Sequence, residues 1–228
     1  MGCTEGDLDC AKSEKPAFRV SISQPFYMAE TETTDAQYTE CVEAGACRAA
    51  GYPDGWKAWH RRSDLPVVWV SWEDAEQFCR WLGGRLPSQA EWEFAARGGQ
   101  DGWRYPWGNE IPVSEQGEEK GARFADGGAC AAPAPATVRS FPPNAFGLHD
   151  VAGNVWEWVA DVWHESYEGA PADGSAWLSN GDTADRVVRG GSCFDLATSL
   201  RVSVVGRSSQ QSRLENIGFR CLRETPAP

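Results

Sequence analysis

Gly147-Leu-His-Asp-Val-Ala-Gly-Asn-Val-Trp-Glu-Trp158 reads as a turn that feeds a strand. Ala152-Gly153-Asn154 is a turn signal. Beyond it Trp156 and Trp158 alternate with Glu157, so two indoles can pack inward while the carboxylate points elsewhere. Taken alone, Glu157 reads as a solvated or salt-bridged side chain. The same texture runs through everything after Gly99: Trp107-Gly108-Asn109, Gly127-Gly128, Pro142-Pro143-Asn144, Asp173-Gly174 and Asn180-Gly181-Asp182 are turns. Between them, Arg186–Arg189 and Arg201–Val205 read as brief strands. Cys130 to Pro135, rich in Ala and Pro, reads as a surface loop inside one domain.

Upstream, helices are few but well punctuated. Ala36, Tyr38, Cys41 and Val42 suit a short amphipathic helix over about 34–44 that ends at Gly45. Ser71 with Asp74, and Ser88 with Glu91, are capping-box patterns. They open helices through Trp81-Leu82 and to about Arg97, stopped by Gly83 and Gly98-Gly99. Trp72, Ala75, Phe78 and Leu82 form a core-facing stripe. Glu91/Glu93 and Glu118/Glu119 read as helix surface and solvated loop.

The chain has 228 residues, 24 of them Gly and 14 Pro, with 12 Trp and a net charge of −12 from 33 acidic and 21 basic residues. An α+β domain rich in loops fills that length alone, so residues 1–228 are read as a single domain without internal repeats. Such an anionic surface disfavours nucleic acid as a partner, and no apolar run is long enough for a transmembrane helix. Cys3, Cys10, Cys41, Cys47, Cys79, Cys130, Cys193 and Cys221 include no C-x-x-C pair, and His60, His149 and His164 are scattered. Zinc and thioredoxin-type motifs are therefore unsupported, and disulfides in an oxidising compartment are expected. Residues 1–25 carry no apolar signal segment, yet the cysteines point to a secreted, periplasmic or cell-surface protein. No nucleophile-and-base pair can be assembled, and Ser192 reads as a turn residue.

Several stretches in order resemble the formylglycine-generating enzyme, or sulfatase-modifying factor, family. They are Pro66-Val-Val-Trp-Val-Ser-Trp72, Gly84-Arg-Leu-Pro-Ser-Gln-Ala-Glu-Trp-Glu93, Tyr105-Pro-Trp-Gly-Asn109, Phe141-Pro-Pro-Asn144, the opening stretch, Arg189-Gly-Gly-Ser192 and Asn216-Ile-Gly-Phe-Arg-Cys221. The resemblance implies a loop-rich, disulfide-stapled variant of the C-type lectin fold, with Met1-Gly2 following a first strand that would lie upstream of residue 1. It implies a calcium-binding turn with ligands from Asp150, Gly153, Val155 and Glu157, a donor set that suits a hard cation. The family's other calcium site is not expected, because Ala125 to Ala132 lacks its Asp-Gly-aromatic pattern. The resemblance also pairs Cys79 with Cys221. Proximity favours Cys41–Cys47 and Cys3–Cys10, which leaves Cys130–Cys193, one choice among the 105 connectivities of eight cysteines.

The family's enzymes oxidise a sulfatase cysteine to formylglycine with O₂ and copper(I) held by two cysteines. Counted back from Arg207 and Gly218, those positions carry Ser199 and Val204, and neither side chain offers the soft thiolate that copper(I) needs. No copper is therefore expected. The reading that follows is a non-catalytic, calcium-stabilised module for a protein, peptide or glycan ligand, with Phe194, Asp195, Leu196, Gln210 and Gln211 as candidate contacts. Arg201, Arg207, Arg213 and Arg220 are expected to anchor loops through bidentate bonds. The alternatives are a variable ligand-binding protein of a diversity-generating retroelement, in the frame from Arg189-Gly-Gly-Ser192 to Ile217-Gly-Phe-Arg220, and the oxidase itself, which the missing thiols disfavour.

Overall fold

Three capping boxes start three helices, as the Ser/Thr and Asp/Glu/Gln spacing dictates. Thr34, Ser71 and Ser88 accept the N–H three residues on, and Gln37, Asp74 and Glu91 reach back to the cap N–H at 2.9, 2.8 and 2.7 Å. The helices are α1 (Asp35–Glu43), α2 (Trp72–Trp81) and α3 (Gln89–Ala96). The structure is a computed structural model in which residues 1–54, 64–114, 120–125 and 135–225 are described.

The strands are short. β1 (Phe26–Met28) pairs antiparallel with β6 (Leu222–Glu224), Tyr27 lying opposite Arg223. A four-stranded sheet has the order β4 (Gly206–Ser209), β3 (Asp182–Arg189), β2 (Trp156–Trp163), β5 (Ile217–Gly218). β2 is antiparallel to β3 and parallel to β5, with Glu157 opposite both Arg189 and Gly218. That register sets the Gly-Phe-Arg segment beside the Trp-Glu-Trp segment. Gly218 allows it: a Cβ there would stand 2.7 Å from the Val67 carbonyl oxygen.

β2 is buried on both faces. Trp158 joins Tyr38, Phe78 and Phe219 in one core cluster under α1 and α2, while Val159 joins Trp92, Val187 and Val202 under α3. The two-sided burial corrects two expectations. Glu157 is not solvated but almost fully buried, the salt-bridged one of its two sequence readings. Glu91 and Glu93 are buried too, because α3 is enclosed everywhere except at the exposed Phe94. In the stripe on α2, Ala75 and Phe78 are buried, Trp72 is half-buried and Leu82 is exposed.

The strand expected over Arg201–Val205 is absent, and β4 begins only at Gly206. Arg201 instead turns inward, bonding Asp7 at 2.9 Å and Glu14 at 2.8 Å, which pulls its backbone out of the sheet. Arg186–Arg189 does lie in a strand, β3.

Disulfides join Cys3–Cys10, Cys41–Cys47 and Cys79–Cys221. The last closes 142 residues and on the chain-entropy account restrains the unfolded chain by at most about 5 kcal/mol. Cys193 is buried, whereas Cys130, its expected partner, lies outside the described residues, as do Glu118, Glu119, His60 and most of the Cys130–Pro135 loop. Among the described residues no helix is long and apolar enough to cross a membrane.

Candidate functional site

The turn before β2 is wound tightly. Asp150 (φ 55°), Gly153 (φ 84°) and Asn154 (φ 61°) are all left-handed. Asp and Asn tolerate this conformation best among residues with side chains. Gly153 has no substitute, since a Cβ would stand 2.3 Å from the Arg123 carbonyl oxygen. Its own N–H donates to the Gly190 carbonyl, and the Asn154 N–H donates to that of Arg123, both at 2.8 Å. The buried Asn154 amide accepts from the Ala136 N–H and donates to Glu32 Oε1, again at 2.8 Å each.

The parallel pairing with β5 brings Arg220 onto Glu157. The guanidinium Nη2 and Nε donate to the carboxylate at 2.7–3.0 Å, and Trp92 Nε1 donates to Glu157 Oε2 at 2.7 Å. The remaining Arg220 donors reach the carbonyls of Ala29, Glu30 and His149. One arginine thus ties the strand after the turn to the segment before α1, on which Glu32 lies.

Three buried carboxylates, Glu32, Asp150 and Glu157, therefore lie within the electrostatic reach of one buried guanidinium, which bonds only Glu157. Burial pushes the Glu32 carboxyl well above the ordinary range, and the charges of Asp150 and Glu157 add to this, with Arg220 opposing. Asp150 is likewise raised by burial, against the N–H groups of Arg139 and Phe141 that donate to it at 2.6 and 3.3 Å. Glu32 Oε2 is buried without a hydrogen-bond partner among the described residues. An excess of hard anionic oxygen with an orphaned acceptor fits a divalent cation of the calcium type. The four expected ligands fit less evenly: Asp150, Gly153 and Val155 lie on the turn, whereas Glu157 has its carboxylate committed to Arg220 and Trp92. Glu32 was not foreseen, because nothing local in Glu30-Thr-Glu-Thr33 marks it and Asp150 is far away in sequence.

The candidate contacts split. Phe194 and Leu196 are exposed, Gln211 is exposed and Gln210 half-buried. Asp195 is committed inward: its carboxylate accepts from the Ser192 N–H, the Ser192 hydroxyl and Trp156 Nε1 at 3.0, 2.5 and 2.9 Å, so it builds the loop rather than facing out. Ser192 is accordingly a turn residue. Ser199 ends a turn hydrogen bond to Leu196 on a short 3₁₀ segment (Ala197–Leu200), and the Val204 carbonyl accepts from Arg189. Arg201 and Arg220 make the expected bidentate bonds to Glu14 and Glu157. Exposed Arg207 sits over the Trp163 ring. A groove of about 790 Å³ lined by Phe26, Tyr27, Phe94 and Phe146 includes none of the candidate contacts. Among the described residues no His, Cys, Asp and Glu side chains cluster as a ready-made cage for a metal ion.

A family model described as sulfatase-modifying factor enzyme 1-like domain matches residues 1–225. The formylglycine-generating enzyme of Streptomyces coelicolor is 34% identical over 277 aligned positions, covering 98% of this chain and 86% of that protein. The inactive C-alpha-formylglycine-generating enzyme 2 of Bos taurus is 42% identical over 169, covering 69% of this chain and 50% of its own length. Among solved structures, PvdO from Pseudomonas aeruginosa superimposes with a TM-score of 0.83 at 28% identity, covering 99% of this chain and 90% of that one.

Proposed function

The chain belongs to the sulfatase-modifying factor family, and we propose that within it this domain is a non-catalytic, extracytoplasmic binding module whose turn from Asp150 to Glu157 is stiffened by calcium. The observation that carries the reading is the lack of thiols where copper(I) would be gripped. Ser199 and Val204 occupy the inferred positions, and no cysteine occurs anywhere from Phe194 to Arg220. A thiolate pair five residues apart cannot arise there in any register, and hydroxyl or alkyl groups do not replace it. The likeness to a relative named as inactive is consistent with this. Three disulfides favour an oxidising compartment.

The ligand is a protein, peptide or glycan, met by the loop that carries Phe194, Leu196 and Gln211. Its exposed apolar side chains beside a framework locked by Asp195 and Arg201 suit recognition by a rigidly presented surface. The same framing, from Arg189-Gly-Gly-Ser192 to Ile217-Gly-Phe-Arg220, supports the second reading of a template-diversified variable protein. A near-copy of this segment beside a reverse-transcriptase gene would favour that version.

Incubation of the copper(I)-treated protein with a Cys-x-Pro-x-Arg peptide in air tests the main reading. The peptide is expected to keep its thiol, as followed by mass spectrometry. Conversion to formylglycine above the copper-only control would overturn the assignment.

A further inference from the structure

We infer that the groove beside β1 takes an extended segment of a partner protein, which adds to the free edge of β1 as a third strand. This surface lies apart from the loop that carries Phe194 and Leu196, and it does not depend on calcium. Residues Ile22 to Met28 line the groove consecutively. A strand face would contribute every second residue, so this wall is a backbone edge. The pairing with β6 determines which groups the edge offers. The Ala29 N–H donates to the Cys221 carbonyl at 2.8 Å, and the Thr225 N–H donates to that of Pro25 at 3.4 Å. Every second residue of an antiparallel strand bonds to the same neighbour. Tyr27 therefore turns its N–H and C=O to Arg223, while Phe26 and Met28 turn theirs away from β6. On that side neither residue makes a backbone hydrogen bond among the described residues.

The floor of the groove is aromatic and uncovered. Phe94, the exposed position of α3, has its ring 6.3 Å from that of Phe26 and 5.5 Å from that of Phe146. Phe94 and Phe146 are 47% and 49% exposed, an apolar patch of the kind that marks a contact surface. The segment leading to β1 repeats the pattern. Phe18, Val20 and Ile22 are half-buried and Arg19, Ser21 and Ser23 are exposed, the alternation of a strand, yet the segment belongs to no sheet. At its start Met1 and Phe18 exchange backbone hydrogen bonds at 2.9 and 3.0 Å, as an antiparallel pair does. An unpaired edge above an aromatic floor calls for a strand. Its backbone would satisfy Phe26 and Met28 while alternate apolar side chains cover Phe94 and Phe146. A helix bonds its own backbone and would leave the edge unpaired.

Calorimetric titration of the full chain with the acetylated, amidated peptide Thr-Val-Thr-Phe-Thr-Val-Thr tests this. Two further peptides carry N-methyl groups on one or the other set of alternate amides, which blocks one edge of the strand and leaves its side chains intact. The parent peptide is expected to bind and to slow hydrogen exchange at the Phe26 and Met28 N–H groups. One methylated peptide should bind like the parent and the other at least about tenfold more weakly, because only one edge of the strand meets β1 when its apolar side chains face the floor. Phe94→Ser should also weaken binding at least about tenfold through lost apolar burial, with an unchanged melting midpoint as the folding control. Equal affinity of the two methylated peptides would reduce the groove to a non-specific apolar surface and overturn the inference. So would the absence of binding by the parent peptide up to about 1 mM. A chain that dimerises by itself, and that F94S returns to a monomer, would give the groove to a second copy and overturn the assignment to a partner.

Discussion

On one side of Trp92 the Arg189 guanidinium lies over the indole face, 5.2 Å from the ring centre; on the other, Glu157 accepts the indole N–H. Each contact belongs to a buried ionic cluster, and the two clusters follow different charge arithmetic. Around Arg189, the guanidinia of Arg97, Arg104, Arg189 and Arg201 meet the carboxylates of Glu93, Glu14, Asp7 and Asp9, four against four. Burial pushes the Glu93 carboxyl up, but Arg189 and Arg97 outweigh it and hold the group below its usual value. Around Arg220, the guanidinium is bonded to Glu157 alone, and the charges of Glu32 and Asp150 feel it at longer range, so that burial leaves both of these carboxyls raised. The balanced cluster is complete without a ligand and fastens the N-terminal segment and α3 to the loop after β3. The unbalanced one lies where a cation is proposed. Buried charge therefore serves as a fastener in the first place, and in the second the proposed calcium would supply the positive charge that Arg220 alone does not.

Breaking each arginine gives the largest expected effect. Removing one partner of a buried pair costs about 3–5 kcal/mol. Arg220→Met is expected at the top of that range, since it leaves three carboxylates uncompensated, and Arg189→Met lower, since Arg97 still pairs with Glu93 at 2.9 Å. In thermal melts, calcium should recover part of the R220M deficit and none of the R189M deficit. Equal deficits that ignore calcium would erase the contrast between the clusters.

Asp161 sharpens the comparison with a smaller effect. It is buried with no ion pair among the described residues, accepting the N–H groups of Gln89 and Trp177 at 2.8 and 2.9 Å, and burial raises its carboxyl to about 6. A raised acid binds its proton more tightly when folded, so its contribution to stability grows as pH falls from about 6 towards the unfolded value of about 4. Asp161→Asn should cost about 1–2 kcal/mol through weakened acceptance at the start of α3. The gap in melting midpoint between wild type and D161N should widen on acidification from pH 7 to 4.5. A gap that stays constant would mean that Asp161 is ionised throughout.

What was legible in the sequence was local chemistry. Thr34, Ser71 and Ser88 announce their helices because a cap and its partner three residues on act within one turn. Gly-Asn-Val-Trp-Glu-Trp announces the turn and β2 for the same reason. The pairings of Cys3–Cys10 and Cys41–Cys47 follow from short separations, whereas Cys79–Cys221 came only with the family likeness. The illegible features are the long-range ones. Glu93 lies on what looks like a helix surface until Arg189, 96 residues away, closes over it. Arg201 looks like part of a strand until Asp7 and Glu14 draw it inward. Glu32 lies 122 residues from Asn154, and no periodicity links them.

The most direct measurement is the midpoint of thermal unfolding at neutral pH in millimolar CaCl₂ against an excess of chelator. A cation held at 100 times its dissociation constant adds about 2.7 kcal/mol to the folded state, so the midpoint should rise by about 5–10 °C for a chain of this size. Superimposable melts in calcium and chelator would contradict the account, because the uncompensated carboxylates at Asp150 and Glu32 would then have no cation to answer them.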